Sequence, residues 1–524
     1  MKRLLQLAIA LFLISAFTNQ AFGQTQKADT QSNPLVRLLQ SKGILTEQEA
    51  AMISGASSTE SAERKLAELL LSKGVITRQE YDETLLALGA SSTSPSESVM
   101  RATPVAAHLS DPSPLAAART TSNSTPGKAA AAQSPTEGAV TTLSKVPVKL
   151  YGSILFNANY VDHGANTIDI PLFPQKRTVS SDQNHQNFNT TLRQSRFGLR
   201  YEGKIFDDAK LTGVFEFDLL GGKPAFANGA NFDIFRLRLA YGRIDWAKNS
   251  LEAGQDWAVF SPLNPTSLAS YAIPAFSTSG NLWNRMPQIR YEHREGDKSK
   301  FIFTTALLDP NAGDSSGNPA VRVIGLGERG SLPAFEARFG FTTPAHGKET
   351  SAGVSGHYSR LLGVPGNPTG TTVRSPIDSY GISGDANIWL TSGFRVTAEA
   401  FHGRALGIFS GDIAQSTAVI AGRARGINST GGWIELHGEA PSGYQGSLKN
   451  FSMNAGYGIE DNRDQDLVAG ARQRNRSYMV NGQYKFSPNL TFALEYRRVL
   501  TDWFLEPLSN ERLNWAGMSF MYSF

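Results

Sequence analysis

The sequence predicts an all-β fold: a closed antiparallel barrel of sixteen strands that spans a membrane, preceded by a small helical module and a disordered linker. Three observations predict it, namely an export signal, a polar–apolar alternation with a period of two from Val148 onward, and an aromatic final strand. The 524 residues include no Cys, which excludes a disulfide scaffold, a thiolate metal site and a cysteine nucleophile. A net charge of +4 over this length is too dilute to indicate nucleic-acid binding.

Residues 1–23 are predicted to be a bacterial secretory signal peptide. Lys2 and Arg3 precede the apolar stretch from Leu4 to Phe17, and the small residues Ala21 and Gly23 stand at a cleavage site. The alternative is an uncleaved anchor, but the stretch is short for a membrane span. No other window of the sequence has the roughly 18 consecutive apolar residues that a spanning helix needs, so we expect any membrane crossing to use strands.

Residues 24–88 are predicted to form a duplicated helical module. The segment Leu38–Glu49 recurs as Leu69–Glu80, and in each copy a glycine ends one helix and a capping box begins the next. The boxes pair Thr46 with Glu49 and Thr77 with Glu80. We expect a periplasmic module for oligomerisation or cell-wall contact; the alternative is a helical spacer that binds nothing.

Residues 89–146 are predicted to be a flexible linker. Ser, Thr, Ala and Pro dominate this segment, and large apolar residues are nearly absent from it. Such a composition cannot bury enough apolar surface to offset the entropy of ordering. The segment is therefore expected to tether the helical module to the C-terminal part of the chain.

Residues 147–524 are predicted to form the barrel. Apolar and polar residues alternate along the chain. For example, one face of a strand is expected to carry Phe235, Leu237, Leu239 and Tyr241. A soluble β-sandwich would show the same alternation, but the export signal, an even strand count and alternating short and long connections favour a membrane barrel. Strands are predicted to start near Val148, Leu192, Lys210, Phe232, Ser250, Gln288, Lys300, Pro333, Glu349, Ser379, Phe394, Trp433, Lys449, Arg474, Leu490 and Leu513.

The last strand carries aromatic residues at every second position. Phe520, Tyr522 and Phe524 alternate with Ser519, Met521 and Ser523. This pattern resembles the terminal signature that the bacterial outer-membrane assembly machinery reads. We therefore expect these three aromatic residues to act as an assembly signal.

Two short stretches resemble porins. Asn189 to Arg200 is similar to the second-strand segment of general bacterial porins. Ala253–Phe260, a long neutral loop and Met286–Tyr291 together resemble the corresponding stretch of DcaP-like porins. That resemblance implies a sixteen-stranded trimeric barrel with an N-terminal helical segment; phosphate-selective porins are a near alternative.

Strand parity predicts that several charged residues face the lumen, because an arginine that faces lipid at mid-bilayer costs about 2–4 kcal/mol. A dry interior would penalise each unpaired charge, so the lumen is expected to be wet. Two interpretations are open: a paired network that stiffens the wall, or an arginine-rich constriction that favours anions. The residues are Arg196, Arg200, Glu216, Asp218, Arg236, Arg238, Arg290 and Glu292.

The long connection from Trp257 to Met286 has no acidic residue and only one basic residue. A nearly neutral, aromatic and proline-containing loop of this length is expected to fold into the barrel or to pack at a subunit interface. In the lumen it would add no negative charge opposite the arginines. Its expected constriction or interface residues are Trp257, Phe260, Tyr271, Phe276, Trp283 and Arg285.

Enzymatic signals are weak. Gly325–Gly330 matches a dinucleotide fingerprint by letters, but it lies in a predicted outer loop without the required strand and helix. Histidines are scattered without metal-ligand spacing. His437 and Glu435 share a predicted luminal face, which leaves a barrel hydrolase as a remote alternative. We expect no enzyme activity, no cofactor and no metal.

Together these features predict a porin of the outer membrane that lets small hydrophilic solutes diffuse passively, with a preference for anions such as carboxylates or phosphate. Its expected partners are membrane lipid and lipopolysaccharide, two further copies in a homotrimer, the outer-membrane assembly machinery, and peptidoglycan through a periplasmic N-terminal module; nucleic acid is not expected. The alternative is a structural barrel that anchors a cell-wall-contacting module.

Overall fold

The computed structural model describes residues 46–54, 65–66, 68–69, 71, 73, 139–141, 147–176, 186–206, 209–222, 233–311, 324–363, 375–506 and 510–524. The predicted signal peptide, the second capping box and most of the predicted linker lie outside the described residues. The chain divides into two units, residues 1–115 and 116–524, and each is described by itself.

The first unit contains the helix α1, Glu47–Ser54, which begins with the predicted capping box. Thr46 N and Oγ1 donate to Glu49 Oε2 at 2.7 and 2.8 Å, and Glu49 N donates to Thr46 Oγ1 at 3.4 Å. Lys73, from the second copy of the repeat, donates to the same Glu49 oxygen at 2.8 Å. The Lys73 and Thr46 hydrogen bonds lower the pKa of Glu49 to about 2, so an ion pair joins the two copies.

The second unit is a closed antiparallel barrel of sixteen wall strands, as the sequence predicts, and the all-β fold class is confirmed. Its strands are β1 (Ala139–Thr141), β2 (Pro147–Val161), β3 (Asn187–Thr191), β4 (Arg196–Phe206), β5 (Ala209–Gly222), β6 (Ile234–Asp245), β7 (Asn249–Trp257), β8 (Arg285–Glu295), β9 (Lys300–Leu308), β10 (Ala334–Ala345), β11 (Lys348–Gly363), β12 (Ser375–Trp389), β13 (Phe394–Arg404), β14 (Thr417–Ile420), β15 (Arg423–Gly426), β16 (Asn428–Glu439), β17 (Phe451–Asn462), β18 (Arg472–Ser487), β19 (Leu490–Trp503) and β20 (Asn510–Ser523).

Neighbouring wall strands pair in sequence order, and β20 returns to pair with β2. β3 and β4 are two parts of one wall strand, since both pair with β2 and residues 192–195 interrupt them. The hairpin β14–β15 forms a separate two-stranded sheet and is not part of the barrel wall. One end of the barrel carries Phe524 and turns such as 346–347 and 488–489, and we call the opposite end, where the long connections lie, the outer end.

Helical structure in the second unit is limited, within the described residues, to α2 (Leu326–Arg329) and two short 3₁₀ helices, Gly407–Phe409 and Asp464–Asp466. In the described part of the chain, no helix has both the length and the apolar character needed to cross a membrane.

The period-two pattern places apolar side chains outside and polar side chains inside. On β19, Leu494 and Tyr496 point outward and are 56% and 48% exposed. Their neighbours Ala493, Glu495 and Arg497 point inward and are buried. This inversion of the soluble pattern is typical of a barrel whose outer face contacts lipid.

One stretch breaks the predicted alternation. The β5–β6 pairing shifts register between Glu216 and Phe217, so Leu239 pairs with Glu216 and Tyr241 with Val214, both of which face inward. The expectation that Leu239 and Tyr241 lie on the same face as Phe235 and Leu237 is therefore wrong. A β-bulge adds one residue to one strand, which shifts the faces of the residues that follow it.

The short strand β1 lies within the segment that the sequence places in the linker. β20 pairs with β2 only from Ser153 onward, which leaves the start of β2 without a partner on that side. Ala139–Thr141 pair with Lys149 to Pro147 instead. An unpaired strand edge presents free N–H and C=O groups, and β1 satisfies some of them.

The chain closes the barrel at Phe524. Its backbone exchanges two hydrogen bonds with Gly152, at 3.0 and 3.1 Å, and its ring lies 6.2 Å from that of Phe197 on β4. Phe520, Tyr522 and Phe524 are all exposed on the outer face. The alternating aromatic residues of β20 therefore lie along the β20–β2 pairing that closes the barrel, which we call the seam.

Replacing Phe524 with alanine should weaken this seam, because an aromatic pair contributes about 1 kcal/mol beyond its buried area. We expect Phe524→Ala to lower the urea midpoint of the folded barrel and its yield in membranes. The measurement is the fraction with folded mobility in heat-modifiable electrophoresis. Phe303→Ala, which removes an outward phenylalanine from β9, serves as the control, and an equal loss in both variants would contradict a special role for the seam.

Candidate functional site

The connection between β7 and β8, residues 258–284, lies inside the barrel, and we call it the inward loop. Its atoms form hydrogen bonds with inward side chains on β10, β13, β16 and β19. It also contacts residues 192–195 between β3 and β4, and β18. The loop therefore follows the inner wall around much of the barrel.

Wall carboxylates accept hydrogen bonds from the backbone of the inward loop. Glu336 Oε2 accepts the amides of Val259 and Phe260 at 2.7 and 3.0 Å. Further along the loop, Glu399 accepts Leu263 N at 2.8 Å, and Glu435 accepts both Thr266 N at 2.6 Å and Thr266 Oγ1 at 2.9 Å. All three glutamates are buried, so their carboxyl oxygens accept these hydrogen bonds away from bulk solvent.

Two buried amides hold the rest of the loop. Gln194 Oε1 accepts Tyr271 N and Ala272 N at 2.8 and 2.9 Å, while Gln194 Nε2 donates to Ala269 O at 2.8 Å. On the other side, Asn475 Nδ2 donates to Thr278 O at 3.0 Å. The break in the wall strand between β3 and β4 places Gln194 where it reaches the loop.

A second connection, residues 405–427 between β13 and β16, also folds inward, and we call it the second inward loop. Its Leu406 and Phe409 pack with Phe260 and Leu282 of the inward loop, and all four are fully buried. The backbone of the two loops is also joined, since Trp283 N donates to Phe409 O at 3.0 Å. The second inward loop thus packs the inward loop against the wall.

The second inward loop has an unusual backbone. Ala405, Ser410, Asp412, Ile413, Ala414 and Ser416 all have positive φ angles between 51° and 63°. Left-handed conformations cost non-glycine residues energy and persist only where the surroundings impose them. Here Asp412 is one such constraint, since its carboxylate accepts Leu406 N at 2.5 Å and Ser429 Oγ at 2.6 Å.

The two loops divide the inner wall into a covered part and a water-accessible part. Side chains of Glu336 and Glu435, on β10 and β16, are 0% exposed. In contrast, those of Arg236 on β6 and Arg294 on β8 are 28% and 27% exposed. Solvent therefore reaches the β4–β8 side of the lumen.

Four arginines gather beside this accessible region around the carbonyl of Ala272; the side chain of Arg236 is partly exposed, whereas that of Arg238 is buried. Arg236, Arg238 and Arg285 approach that oxygen at 3.2–3.5 Å, and Arg196 donates to the neighbouring carbonyl of Tyr271. The Arg196 Cζ atom lies 3.4 Å from the centroid of the Tyr271 ring, a cation–π geometry. We call these four residues the arginine cluster.

Two carboxylates face the arginine cluster. Asp218 contacts Arg236 at 2.6 Å and Arg238 at 3.0 Å, and Glu216 contacts Arg238 at 2.7 Å. Within the described residues, Arg196 and Arg285 form no ion pair. Arg196 Nε and Arg285 Nη1 are moreover buried without a hydrogen-bond partner there.

Aromatic rings flank Arg285. Its Cζ atom lies 4.7 Å from the ring of Trp257 and 5.2 Å from the ring of Trp283. Those rings, 6.1 Å apart, belong to the first and last parts of the inward loop region. They hold the guanidinium group by cation–π contacts, which do not neutralise its charge.

The other residues predicted for the lumen lie outside the cluster. Toward the short-turn end, Arg200 pairs with Glu202 at 2.7 Å, Arg290 with Asp256 at 3.3 Å, and Glu292 with Arg243 at 3.1 Å. These residues form a balanced network of ion pairs along the wall.

Two of the predicted loop residues are packing residues. The ring of Phe260 lies 5.3 Å from that of Phe409 in the second inward loop, and the ring of Phe276 lies 6.3 Å from that of Trp433 on β16. Neither ring is exposed to the lumen.

Sequence reasoning did not single out the residues that hold the inward loop. Their common signal is an acid or amide at an inward strand position. Parity predicts most of these positions, but nothing local indicates that the partner is a backbone group or a hydroxyl of a distant loop. They are Gln194, Glu336, Glu399, Glu435, Asn475 and Glu495.

The two residue patterns that suggested enzymes have other surroundings. His437 Nδ1 lies 2.7 Å from Asn454 Oδ1 and its Nε2 lies 3.3 Å from Glu439 Oε2, so an amide and a carboxylate contact the ring rather than a hydroxyl nucleophile. Gly325 begins the four-residue helix α2. In the described residues, no group of three or more acidic or histidine side chains is arranged to hold a metal ion.

Comparisons with known proteins identify the fold. No protein-family model matches the chain, and no curated protein does. The outer membrane channel DcaP of Acinetobacter baumannii is 19% identical with a TM-score of 0.54, and the match covers 74% of this chain and all of that one. The chain thus shares the barrel fold of DcaP, which confirms the resemblance at the level of fold.

Two further solved structures match at lower scores. OmpT of Vibrio cholerae is 12% identical with a TM-score of 0.44, over 74% of this chain and all of that one. An anion-selective porin from Comamonas acidovorans is 13% identical with a TM-score of 0.43, over 72% of this chain and 99% of that one.

Removing the Glu336 acceptor should loosen the inward loop. Glu336→Leu leaves the amides of Val259 and Phe260 buried without an acceptor, which costs about 1–3 kcal/mol for each donor. Glu336→Gln keeps one acceptor oxygen and is the matched control. Hydrogen exchange at residues 258–284 should become at least tenfold faster in the leucine variant only; similar exchange in both variants would show that this carboxylate does not hold the loop.

The second inward loop should be most stable at acid pH. Burial raises the pKa of Asp412 to about 7. A second carboxyl group, that of Glu460, lies nearby and accepts a hydrogen bond from the backbone amide of the adjacent residue, Ile413. The pKa of Asp412 is higher in the folded loop than its ordinary value of 3.8. The stability that protonated Asp412 contributes is therefore complete below pH 3.8 and is lost as the pH rises toward 7.

Hydrogen exchange at residues 405–427, corrected for intrinsic rates, tests this pH dependence. Protection should fall between pH 5 and pH 8, and Asp412→Asn should flatten that slope. Asp464→Asn, at an exposed acid nearby, should leave the slope unchanged. A slope that persists in Asp412→Asn would assign the pH dependence to another group.

Proposed function

We propose that this protein is an outer-membrane porin through which small hydrophilic solutes diffuse passively, with a preference for anions such as carboxylates or phosphate. The observation that carries the proposal is the composition of the arginine cluster. Beside the water-accessible region of the lumen, into which Arg236 is partly exposed, four guanidinium groups lie near two carboxylates, those of Glu216 and Asp218.

The inward loop supports this preference because it adds no opposing charge. Residues 258–284 contain neither Asp nor Glu. The acids of the opposite wall, such as Glu336 and Glu435, are covered by the loop and accept hydrogen bonds from its backbone. A narrow passage with an excess of one charge raises the local concentration of ions of the opposite sign.

The fold supports the membrane location. DcaP, whose barrel fold the chain shares, is an outer membrane channel. An apolar outer face and a polar interior suit a barrel in contact with lipid and lipopolysaccharide. We propose assembly as a homotrimer by the outer-membrane machinery, with the aromatic residues of β20 as its signal and with a periplasmic N-terminal module that contacts peptidoglycan.

Reversal potentials in planar bilayers test ion preference. In a tenfold KCl gradient, the wild-type protein should pass chloride in preference to potassium. Arg196→Gln combined with Arg285→Gln should lower the permeability ratio by about threefold or more, because the variant removes the two unpaired charges of the cluster.

Arg360→Gln is the matched control, since Arg360 is an exposed residue on the outer face of β11. It should leave the ratio unchanged. A wild-type preference for potassium, or a preference for chloride that the double variant retains, contradicts the assignment of the cluster. A barrel that conducts no ions would instead favour the structural anchor.

A further inference from the structure

A second group of arginines lies on the outer face of the barrel, at the outer end of β18, β19 and β20. We call it the outer arginine patch, and it consists of Arg474, Arg476, Arg498 and Arg512. Their strand positions alternate with buried inward residues such as Asn475 and Glu511, so the four side chains face away from the lumen.

Strand register brings the four arginines into one patch. Arg476 and Arg512 are each paired with Leu500 and therefore lie in one row, about 10 Å apart across two strand spacings. Arg498 lies one row closer to the middle of the barrel, opposite Tyr478. Arg474 lies one row further out, opposite Asp502.

The outer arginine patch has an excess of positive charge. Arg474 pairs with Asp461 at 2.7 Å, and Arg476 pairs with Asp502 at 3.0 Å. Across the part of the chain that the structure describes, Arg498 and Arg512 have no carboxylate partner. Asp162 borders the patch and accepts a hydrogen bond from Asn514 at 2.6 Å, but the arginines still outnumber the acids.

Aromatic residues mark the depth of the patch. Tyr457 and Tyr478 lie in the row of Arg498, and Tyr496 lies one row closer to the middle of the barrel. Beyond Tyr496 lie apolar residues such as Leu494 and Met518. A row of tyrosines beside an apolar band is typical of the membrane–water interface. The arginines therefore lie at the level of the lipid head groups of the outer leaflet.

We propose that the outer arginine patch binds the phosphate groups of the glycolipid that forms the outer leaflet. This inference rests on the proposed outer-membrane location. Guanidinium groups bind phosphate through paired hydrogen bonds, and Arg498 and Arg512 are free to form them. The positive charge of Arg498 and Arg512, which no described acid pairs with, complements an anionic lipid head group and favours the anionic lipid as the occupant.

Other outer positions show that such an excess is local. On β11, Arg360 is paired in register with Asp378 of β12, so one arginine meets one acid. This site lies at the same end of the barrel and provides the matched control.

Native mass spectrometry of the full chain in detergent tests the proposal with three probes: bisphosphorylated lipid A, the same lipid with both phosphates removed, and inorganic phosphate. The wild-type protein should retain bisphosphorylated lipid A in preference to the dephosphorylated form. Arg498→Gln combined with Arg512→Gln should weaken its binding at least tenfold. Arg360→Gln should bind as the wild type does, and Arg498→Lys with Arg512→Lys should retain part of the binding.

Each outcome separates the possibilities. Equal retention of both lipids, or unchanged binding by the double glutamine variant, overturns the proposal, and so does a variant that changes the oligomeric state with no change in lipid binding. Binding of inorganic phosphate with equal affinity would show an anion site that does not select lipid. Folded mobility in electrophoresis verifies each variant, and the lysine pair replaces the glutamine pair if the latter does not fold.

Ion conductance is measured on the same samples. Normal conductance with lost lipid A binding assigns the patch a role separate from the pore. If the wild type binds lipid A but conducts no ions, the proposed porin function fails while the lipid site stands.

Discussion

The arrangement of this barrel depends on the need to satisfy backbone amides where water is excluded. The inward loop lies against the wall, and its amides have no strand partner. Glu336, Glu399 and Glu435 supply the missing acceptors at 2.6–3.0 Å. Since a buried donor without an acceptor destabilises the fold, these acids determine where the loop lies.

This use of acids also determines the charge of the lumen. Glu336, Glu399 and Glu435 on β10, β13 and β16 are covered by the loop, so they do not face the solvent. The accessible side keeps the arginine cluster, in which Arg236 and Arg238 pair with acids, whereas no acid of the described residues pairs with Arg196 or Arg285. A chain with 50 basic and 46 acidic residues thus concentrates positive charge in one region of its interior without a large net charge.

Much of the fold could be predicted from the sequence because the period-two pattern is local. The predicted starts at Lys300, Phe394 and Leu490 coincide with the starts of β9, β13 and β19. The face of Tyr241 could not be predicted, since the bulge depends on pairing with β5. The loop's partners were equally hidden: Ser267 bonds to Glu495, 228 residues away, and no local pattern encodes such a contact.

The wall acids bind the peptide groups of the inward loop more than its side chains. Glu336 and Glu399, for example, contact only main-chain amides of the loop. Peptide groups are common to every amino acid except proline at the donor position. Evolution could therefore replace many side chains of this loop and retune which solutes pass, while the scaffold that carries the loop stays intact.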